Sequence, residues 1–398
     1  NPEVMEFFRG CRDVKSIAAK LSDFFNVPVV PGEILLFLDE IQKSEDVIHS
    51  LWFFKEDYPE LHVIAAGSLL EFALKDLSSF GVGRVSSLFV YPMSFDEFLT
   101  ATGQEGLLRT KRNSSPTNPL PKAFYNRLVE AFRSYMLVGG MPEAVATYTE
   151  TGSYRYSSDI VNEIIQGYQD DFAKYGAKAN PLLLRQTLIS VAHQAGAKFV
   201  YSRVEGKYRS AEVKVALEML KDAGLIIPTY HTDANGVPLG AEINERVVKY
   251  LIHDTGVLLG ILGIDDDIDD SIKEMMVADS SDLVDKGHVA EMMAGLELIK
   301  YSSPQKRHQL YYWQNMNKGT CAEVDYVIAR SGSIVPIEVK SGVKGSMSSM
   351  YSLMRNPQKH IEMGIRCSLE NFGTFESPDG KKIDIIPLYA ISNLFAEK

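Results

Sequence analysis

The sequence predicts an α/β multidomain protein, and three observations lead to this prediction. Short apolar strands alternate with amphipathic helices in the first hundred residues, helical periodicity fills the middle of the chain, and strand-like runs return in its last third. A chain of 398 residues is long enough for several domains of roughly 100–200 residues each. More than one hydrophobic core is therefore expected.

The first predicted domain covers residues 1–105. Helices are predicted at Ile17–Phe25 and Val47–Phe54, and short apolar strands at Glu33–Leu38 and Leu61–Ala66. Apolar strands that are separated by helices pair in parallel and are covered by those helices. We therefore expect a parallel sheet with both faces covered.

Three further domains are predicted where the pattern changes. Residues 106–195 contain the polar, proline-rich loop Arg109–Pro121 and then helices. Residues 196–250 run helix, strand, Asn-Gly turn and a second strand through "VPLGAEI", which is the order of a winged-helix module. Residues 251–398 pass through an acidic stretch into a helix and strands, and this order predicts a C-terminal α/β domain.

Composition and charge restrict the classes of partner. The formal net charge of -11 gives no overall attraction to nucleic acid, so any contact with DNA must depend on a local surface. The three cysteines are far apart and form neither a disulfide framework nor a CxxC metal motif, which fits a reducing cytoplasm. The longest apolar runs fall short of the roughly 20 residues that span a bilayer, and no membrane partner is expected.

A pair of carboxylates follows the first predicted strand. Asp39 and Glu40 end the run "LLFLDE", and open α/β folds place ligand chemistry at the carboxyl ends of their strands. In a nucleotide hydrolase, Asp39 would hold Mg²⁺ and Glu40 would polarise the attacking water. The competing interpretation is that Asp39 caps the following helix and Glu40 is solvated.

Two other residues, later in the sequence, add to the hypothesis of a nucleotide site. Ser68 follows the second strand, where a sensor of the γ-phosphate would lie, although a helix cap is an equally natural role. Arg84 lies on the glycine-flexed loop "GVGR", which suits contact with phosphate or with the site of a neighbouring subunit. A surface arginine is the commoner explanation. The phosphate-loop motif GxxxxGK[ST] does not occur in these 398 residues.

These stretches carry a resemblance to a known family. "ILLFLDEIQKSEDV", "VIAAGSLLEF", "GVGRVSSLFVYPMSFDEFL" and "YMLVGGMPEAV" resemble the predicted AAA+ superfamily ATPases of bacteria and archaea that end in the domain of unknown function DUF4143. The resemblance implies a partial AAA+ P-loop NTPase core that uses ATP and Mg²⁺, with its phosphate loop before the counterpart of "NPEVMEFF". It matches Asp39, Glu40, Ser68 and Arg84 to the metal, catalytic, sensor and arginine positions. An arginine that serves a neighbouring subunit would imply a homo-oligomer.

The C-terminal domain contains a second set of charged residues. Ser331-Gly332 is a two-residue hairpin turn between strand-like runs, which places Asp325 opposite Glu338 and Glu323 opposite Lys340. Directly opposed carboxylates are destabilising unless a cation lies between them. Mg²⁺ held by Asp325 and Glu338, with Lys340 positioning or activating a water, would suit cleavage of a phosphodiester.

Glu291, on the apolar-periodic helix "HVAEMMAGLEL", adds a third carboxylate. The pattern Glu291, Asp325, Glu338-x-Lys340 resembles the PD-(D/E)xK restriction-endonuclease and Holliday-junction-resolvase-like superfamily. "YYWQN", "EVDYVI" and "IEVKSG" also resemble the C-terminal domain of the ATPase family named above. The resemblance implies a restriction-endonuclease-like α/β domain with DNA as partner. Weak cross-strand ion pairs on an exposed sheet face are the alternative, and with them a non-catalytic regulatory or interaction protein.

The winged-helix segment has two competing roles. Its cations suffice for phosphate contacts on DNA, but they alternate with acidic residues, so packing against another protein explains them equally well. These cations are Lys207, Arg209, Lys214 and Lys221.

Overall fold

The computed structural model describes residues 2–67, 83–173, 179–263, 287–315, 322–342 and 345–395. The chain divides into two compact units, Asn1–Phe89 and Val90–Lys398. Each unit combines helices with strands, so the α/β multidomain prediction is confirmed. Within the described ranges, no helix has the length and apolar character that crossing a membrane requires.

The first unit contains the helices and strands predicted for it. Asp13 caps α2 by accepting the N–H groups of Lys15 and Ser16, and Ser44 caps α3 by accepting the N–H of Val47. Strands β1 and β2 pair in parallel, as predicted. The elements are α1 (Pro2–Met5), α2 (Val14–Phe25), β1 (Leu35–Leu38), α3 (Glu45–Asp57) and β2 (His62–Ala65), with a 3-10 turn at Ile41–Lys43.

One face of the β1–β2 pair is covered within the described part of the chain. Leu36 and Leu38 pack against a core to which both α2 and α3 contribute. On the opposite face, Leu35, Phe37 and Ile64 are exposed at 52%, 56% and 46%. The expectation of two covered faces is therefore wrong for these residues, because both helices pack on the same side of the sheet.

The second unit begins with a helical block. A capping box at Ser94 starts its first helix, and the described residues from there to His193 include no strand, as predicted for residues 106–195. The predicted loop from Arg109 starts later than expected, because α5 continues to Arg112. The helices are α4 (Phe95–Ala101), α5 (Glu105–Arg112), α6 (Lys122–Val138), α7 (Pro142–Thr151), α8 (Tyr154–Phe172) and α9 (Pro181–His193).

The segment predicted as a winged helix contains a helix followed by two antiparallel strands. The predicted strand "VPLGAEI" is wrong: Leu239–Glu242 form a 3-10 turn, and the returning strand starts at Ile243. Pro238 lacks the N–H that a strand ladder needs, and Gly240 weakens a strand, so this run does not extend the sheet. The elements are α10 (Ser210–Asp222), β3 (Ile226–Thr232), β4 (Ile243–Ile252) and α11 (Thr255–Ile261).

Two sheets organise the rest of the unit. A four-stranded sheet has the order β4-β3-β5-β6, and a five-stranded sheet has the order β10-β11-β9-β8-β7. Because β3 pairs in parallel with β5, strands on both sides of the predicted boundary at residue 250 share one sheet. The elements are α12 (Gly287–Lys300), β5 (Leu310–Gln314), β6 (Glu323–Val324), β7 (Tyr326–Arg330), β8 (Ser333–Val339), α13 (Ser348–Arg355), β9 (Met363–Ser368), β10 (Gly373–Glu376), β11 (Lys382–Pro387) and a 3-10 segment at Leu388–Leu394.

Helix α12 lies against both sheets. It contacts β4 of the four-stranded sheet and β8 of the five-stranded sheet. Its residues from Val289 to Ile299 are all buried, which explains why the helix is apolar on every side except at Glu291 and Glu297. A carboxylate on this helix is therefore held inside the protein.

Candidate functional site

The first group of predicted site residues lies at the carboxyl end of β1. The Asp39 carboxylate accepts the N–H of Glu40 at 2.9 Å, and Glu40 has left-handed backbone geometry with φ of 54°. The Glu40 carboxylate lies 2.9 Å from the ammonium of Lys43 and is 42% exposed. Both carboxylates thus lie at the strand end, in contact with solvent and with near neighbours in the sequence.

Backbone hydrogen bonds hold the two strand ends of the first unit together. Ala66 donates its N–H to the carbonyl of Leu38 at 2.8 Å, and Ile41 donates to the carbonyl of Ala66 at 3.1 Å. The loop that carries Asp39 is therefore fixed beside the end of β2. Ser68, the predicted sensor, lies outside the described residues.

Arg84 packs against α3 of its own unit. Its guanidinium lies 3.7 Å from the ring centroid of Trp52 and forms an ion pair with Glu56. A guanidinium stacks well on an aromatic face because it is planar and weakly hydrated. The structure thus gives Arg84 two partners on α3, and it does not bring Arg84 into contact with Asp39 or Glu40 among the described residues.

The predicted hairpin has the predicted register. Tyr326 pairs with Ile337 and Arg330 with Ser333, and the turn residues Ser331 and Gly332 have φ of 51° and 77°. Two positive φ values are typical of a type I′ turn, which matches the twist of the flanking strands. Extending this register by one pair brings Asp325 level with Glu338.

The chain bends at Asp325, and the bend changes the position of Glu323. Glu323 belongs to β6, where it pairs with Gln314 of β5. The expected pairing of Glu323 with Lys340 is therefore wrong, because the strand leaves the hairpin and joins the four-stranded sheet. Asp325 stays attached to the hairpin: its Oδ2 accepts the N–H of Val339 at 2.7 Å.

Glu338 and Lys340 lie side by side at the end of β8. The Lys340 ammonium is 2.7 Å from Glu338 Oε1. Glu338 is only 5% exposed, and its second oxygen, Oε2, is buried with no hydrogen-bond partner among the described residues. A buried carboxylate oxygen without a partner is costly, so this atom is available to a ligand that supplies positive charge.

Glu291 reaches the same site from α12. Oxygen atoms of Glu291, Glu323 and Asp325 lie within 4.8 Å of one another. The ammonium of Lys249 is 2.8 Å from Glu291 Oε1 and also forms an ion pair with Glu323. The structure therefore brings together the four residues predicted in this domain, and it adds Glu323 and Lys249. We call these six residues the carboxylate cluster.

Burial shifts the pKa of the acids in the carboxylate cluster. Burial and the charge of Asp325 raise the pKa of Glu338 to about 7, although Lys340 opposes the rise. Burial raises the pKa of Glu291 to about 8 against the opposing charge of Lys249, and burial also raises the pKa of Asp325. Burial alone would lower the pKa of Lys249, but Glu291 and Glu323 outweigh it and raise that pKa.

Sequence reasoning did not find Lys249. The signal for it was a single charge inside the apolar run "VVKYLI", which forms the buried half of β4. A lysine with 1% exposure needs an acidic partner, since an unpaired buried charge is very costly. That partner was not readable from the sequence, because Glu291 and Glu323 lie 42 and 74 residues away along the chain.

The carboxylate cluster fits a hard divalent cation. Its acids offer only oxygen ligands, which Mg²⁺ prefers, and four carboxylates face two ammonium groups. Glu338 Oε2 is buried with no hydrogen-bond partner in the part of the chain that the structure describes, and such an ion would supply the positive charge that this atom lacks. Asp325 and Glu338 would hold such an ion. The ion would polarise a bound phosphate oxygen and make a bound water more acidic.

The cations of the winged-helix segment lie among acids. Lys221 is paired with Glu218, and the backbone N–H of Arg209 donates to the Glu212 carboxylate, which follows three residues later. Lys214 and Arg246 line an open surface cleft of about 820 Å³. The cleft is also lined by Asp233, Glu242 and Glu245, so its charge is mixed.

Comparison with known proteins finds similarity along most of the chain. Residues 9–99 match the family model described as an AAA domain, residues 129–268 match the domain of unknown function DUF8612, and residues 286–391 match the domain of unknown function DUF4143. No curated protein matches. The chain is thus similar to AAA-type ATPase domains at its amino end and to DUF4143 domains at its carboxyl end.

A solved structure of a Walker-type ATPase from Pyrococcus abyssi also matches. The two chains are 19% identical, the match covers 63% of this chain and 67% of the other, and the TM-score is 0.39.

Proposed function

We propose that the protein is an AAA-type ATPase whose C-terminal domain cleaves phosphodiester bonds of DNA with the help of a divalent cation. The observation that carries the second half is the convergence of Asp325, Glu338 and Lys340 at one end of the β7–β8 hairpin. Glu338 Oε2 is buried there without a partner among the described residues. The AAA-type family match supports the first half.

The residues of the hairpin have separate roles in this proposal. Asp325 and Glu338 hold Mg²⁺, and the N–H of Val339 fixes the orientation of the Asp325 carboxylate. Lys340, whose side chain is 21% exposed, holds its ammonium beside the Glu338 carboxylate, where it would orient the attacking water and stabilise charge on the phosphate. Glu291 approaches from α12 and bounds the site on the side that faces the protein interior.

The first unit supplies the nucleotide chemistry in this proposal. Asp39 holds Mg²⁺ at the end of β1 and Glu40 polarises the attacking water, with Ser68 and Arg84 reading the phosphates. The fixed position of the Asp39 loop beside the end of β2 supports these roles. ATP is the expected nucleotide, and its hydrolysis is coupled to the DNA-directed domain.

Plasmid cleavage tests the C-terminal half of the proposal. The purified protein is incubated with supercoiled DNA and Mg²⁺, and nicked and linear products are quantified over time. Asp325→Asn and Lys340→Met are each expected to lower the rate by at least about 10²-fold, as for loss of a metal ligand or of a water-orienting group. Glu376→Gln is the matched control, because it changes an exposed carboxylate on β10, at the opposite edge of the same sheet. Equal rates for all four proteins contradict the nuclease role.

ATP hydrolysis by the full gene product tests the first half. Glu40→Gln keeps the shape of the side chain but removes the carboxylate, so hydrolysis is expected to fall by about 10²-fold or more. Glu45→Gln, in the first turn of α3, is the matched control.

A non-catalytic regulatory or interaction protein is the second candidate. The observation that favours it is that Glu40 and Arg84 already have partners, Lys43 for the first and Glu56 with Trp52 for the second. Unchanged hydrolysis in Glu40→Gln together with unchanged plasmid cleavage in Asp325→Asn would establish this candidate.

A further inference from the structure

The carboxylate cluster contains two groups of acids around two different centres. Asp325 and Glu338 form one centre at the end of the hairpin, where Glu338 Oε2 has no partner among the described residues. Glu291, Glu323 and Asp325 form the other, with oxygen atoms within 4.8 Å of one another. Asp325 belongs to both centres, as a carboxylate that bridges two cations would.

The second centre already contains a cation from the protein itself. Lys249 Nζ is 2.8 Å from Glu291 Oε1 and is also bonded to Glu323 Oε1. It is one of the most deeply buried charges in the described chain, with 1% exposure. Two of the three acids of this centre thus share one ammonium.

The fold fixes Lys249 at this position. The residue lies opposite Thr229 in the β3–β4 ladder, so its backbone cannot move without breaking the sheet. Its ammonium also lies 4.9 Å from the ring centroid of Tyr312 on β5. A cation over an aromatic face, between two carboxylates and away from water, has a strongly favoured position.

The number of charges in the carboxylate cluster limits how many divalent ions it can hold. Once a divalent ion has displaced the protons from these acids, Glu291 and Glu323 carry two negative charges against the one positive charge of Lys249, and the ammonium of Lys340 lies beside Glu338. A single divalent ion at the first centre would balance the four carboxylates against the two ammonium groups and the ion. A second divalent ion would leave the cluster with excess positive charge.

We propose that Lys249 is a built-in cation that fills the position of a second divalent ion, so that the carboxylate cluster binds one divalent ion and not two. The inference rests on the proposed function, because the single ion is the one assigned there to Asp325 and Glu338. Two-metal phosphodiesterases hold their ions roughly 3.5–4 Å apart. Here a tethered ammonium takes the inner position, and Glu323 is a positioning residue that holds it there.

Mn²⁺ binding to the metal-free protein tests the inference. Every protein in the test carries Asp39→Asn, so that the ion assigned to the first unit is not counted, and in this background the protein with Lys249 is called natural. Isothermal titration with Mn²⁺ alone is expected to give one ion per chain for the natural protein. Lys249→Met removes the ammonium with little change in side-chain length and is expected to give two. Lys249→Arg keeps the positive charge and is expected to stay at one. Adding Glu323→Gln to Lys249→Met is expected to remove the gained ion and leave the first.

Glu338→Gln separates this inference from the proposed function. In the natural background it is expected to abolish binding of the first ion, and in the Lys249→Met background it is expected to leave the gained ion. Loss of no ion in Glu338→Gln contradicts the proposed metal site, whereas the same number of ions in Lys249→Met as in the natural protein overturns the role of Lys249. Two ions in the natural protein overturn it as well.

A second substitution covers the case in which Lys249→Met does not fold. Lys249→Gln removes the charge but keeps a hydrogen-bond donor for Glu291 and Glu323. Both variants are refolded with and without Mn²⁺, and circular dichroism follows their thermal unfolding. Because an ion in the vacated position restores the missing charge, Mn²⁺ is expected to raise the melting temperature more for the variants than for the natural protein. No such difference, or failure of Mn²⁺ to restore the fold of both variants, overturns the proposal.

Discussion

The two predicted sites use the same kinds of side chain in opposite surroundings. At the end of β1, Asp39 is exposed and Glu40 is 42% exposed, and their contacts are with neighbours in the sequence. At the end of the β7–β8 hairpin, Glu338 is 5% exposed, its ion partner Lys340 lies two residues along the chain, and Asp325 lies level with it across the hairpin. The pKa of Glu338 rises to about 7 because of burial.

This difference shows what burial does to a carboxylate pair. Exposed acids stay solvated, and a ligand must displace water to use them. Buried acids cannot stay ionised without a compensating charge, so they acquire a proton, a lysine or an ion. The second unit provides cations beside these buried acids, and Lys249 and Lys340 are those cations.

The largest effect on the free energy of unfolding is expected from breaking a buried ion pair. In the second unit, Lys111 is 0% exposed at its side chain and pairs with Asp96, which is 7% exposed. Asp96→Asn leaves the Lys111 ammonium without its counter-charge, and the free energy of unfolding is expected to fall by about 3–5 kcal/mol.

The matched control breaks an exposed pair in the first unit. Lys43→Gln removes the partner of Glu40, where the two side chains are 66% and 42% exposed, and the expected loss is at most about 1 kcal/mol. Urea unfolding of both variants measures the difference. Equal losses would show that burial does not decide the strength of these pairs.

A substitution at Gly345 moves the Lys340 side chain but leaves Lys340 itself in place. It tests how strongly the site at the end of the hairpin depends on the position of this ammonium. Gly345 has φ of 152°, which favours glycine, and a Cβ on this residue would lie 2.7 Å from Lys340 Cδ. Gly345→Ala therefore moves the ammonium, and plasmid cleavage is expected to fall by about 10²-fold, the cost of misplacing a catalytic group by about 1 Å.

Mn²⁺ titration separates this effect from loss of the metal site. Gly345→Ala is expected to keep the affinity for Mn²⁺, because it leaves Asp325 and Glu338 unchanged. Gly342→Ala is the control, since a Cβ there meets no heavy atom within 4 Å. A similar loss of cleavage in both variants would attribute the effect to the loop as a whole.

The sequence predicted the hairpin, but it did not predict that Lys249 and Glu323 join the carboxylate cluster. The reason is physical. Strand alternation and a two-residue turn determine a register locally, so Tyr326 opposite Ile337 followed from positions alone. Lys249 and Glu323 meet because β3 pairs with β5 and the chain bends at Asp325. Long-range strand pairing leaves little local trace, so these contacts were not predictable, and neither was the uncovered face of β1.

Acid titration of the buried pair gives a smaller expected effect. Burial alone would raise the pKa of Asp96, but Lys111, Tyr301 and Arg112 together lower it below the ordinary value. Ser392 also donates to the Asp96 carboxylate. A lowered pKa in the folded state means stability that is present above the unfolded pKa of about 3.9 and is lost as pH falls through the folded pKa.

The pH dependence of unfolding measures this contribution. The difference in unfolding free energy between the natural protein and Asp96→Asn is expected to be constant above about pH 5, because Asp96 is ionised there in both states. It is expected to shrink below about pH 4. A difference that grows toward low pH would mean that the pKa of Asp96 is raised in the folded protein.

The smallest expected effect comes from the first unit. Arg84 lies on the Trp52 ring and pairs with Glu56, but its side chain is 30% exposed and that of Glu56 is 46% exposed. Arg84→Ala is expected to lower the free energy of unfolding by about 0.5–1 kcal/mol, the range of an exposed cation–π contact. The emission of Trp52 is expected to shift to longer wavelength, since the ring loses its cover from water.

Glu56→Gln separates the stacking from the ion pair. It removes the charge partner and leaves the guanidinium over Trp52, so the emission is expected to stay near that of the natural protein while stability falls by a few tenths of a kcal/mol. Trp313, the other tryptophan, lies in the second unit and contributes equally to all three proteins. A loss above about 2 kcal/mol in Arg84→Ala would contradict the view that exposed charges in this unit contribute little, because only a desolvated contact reaches that size. It would also show that Arg84 stabilises the fold by packing against α3, and that a role toward phosphate must be sought at another cation.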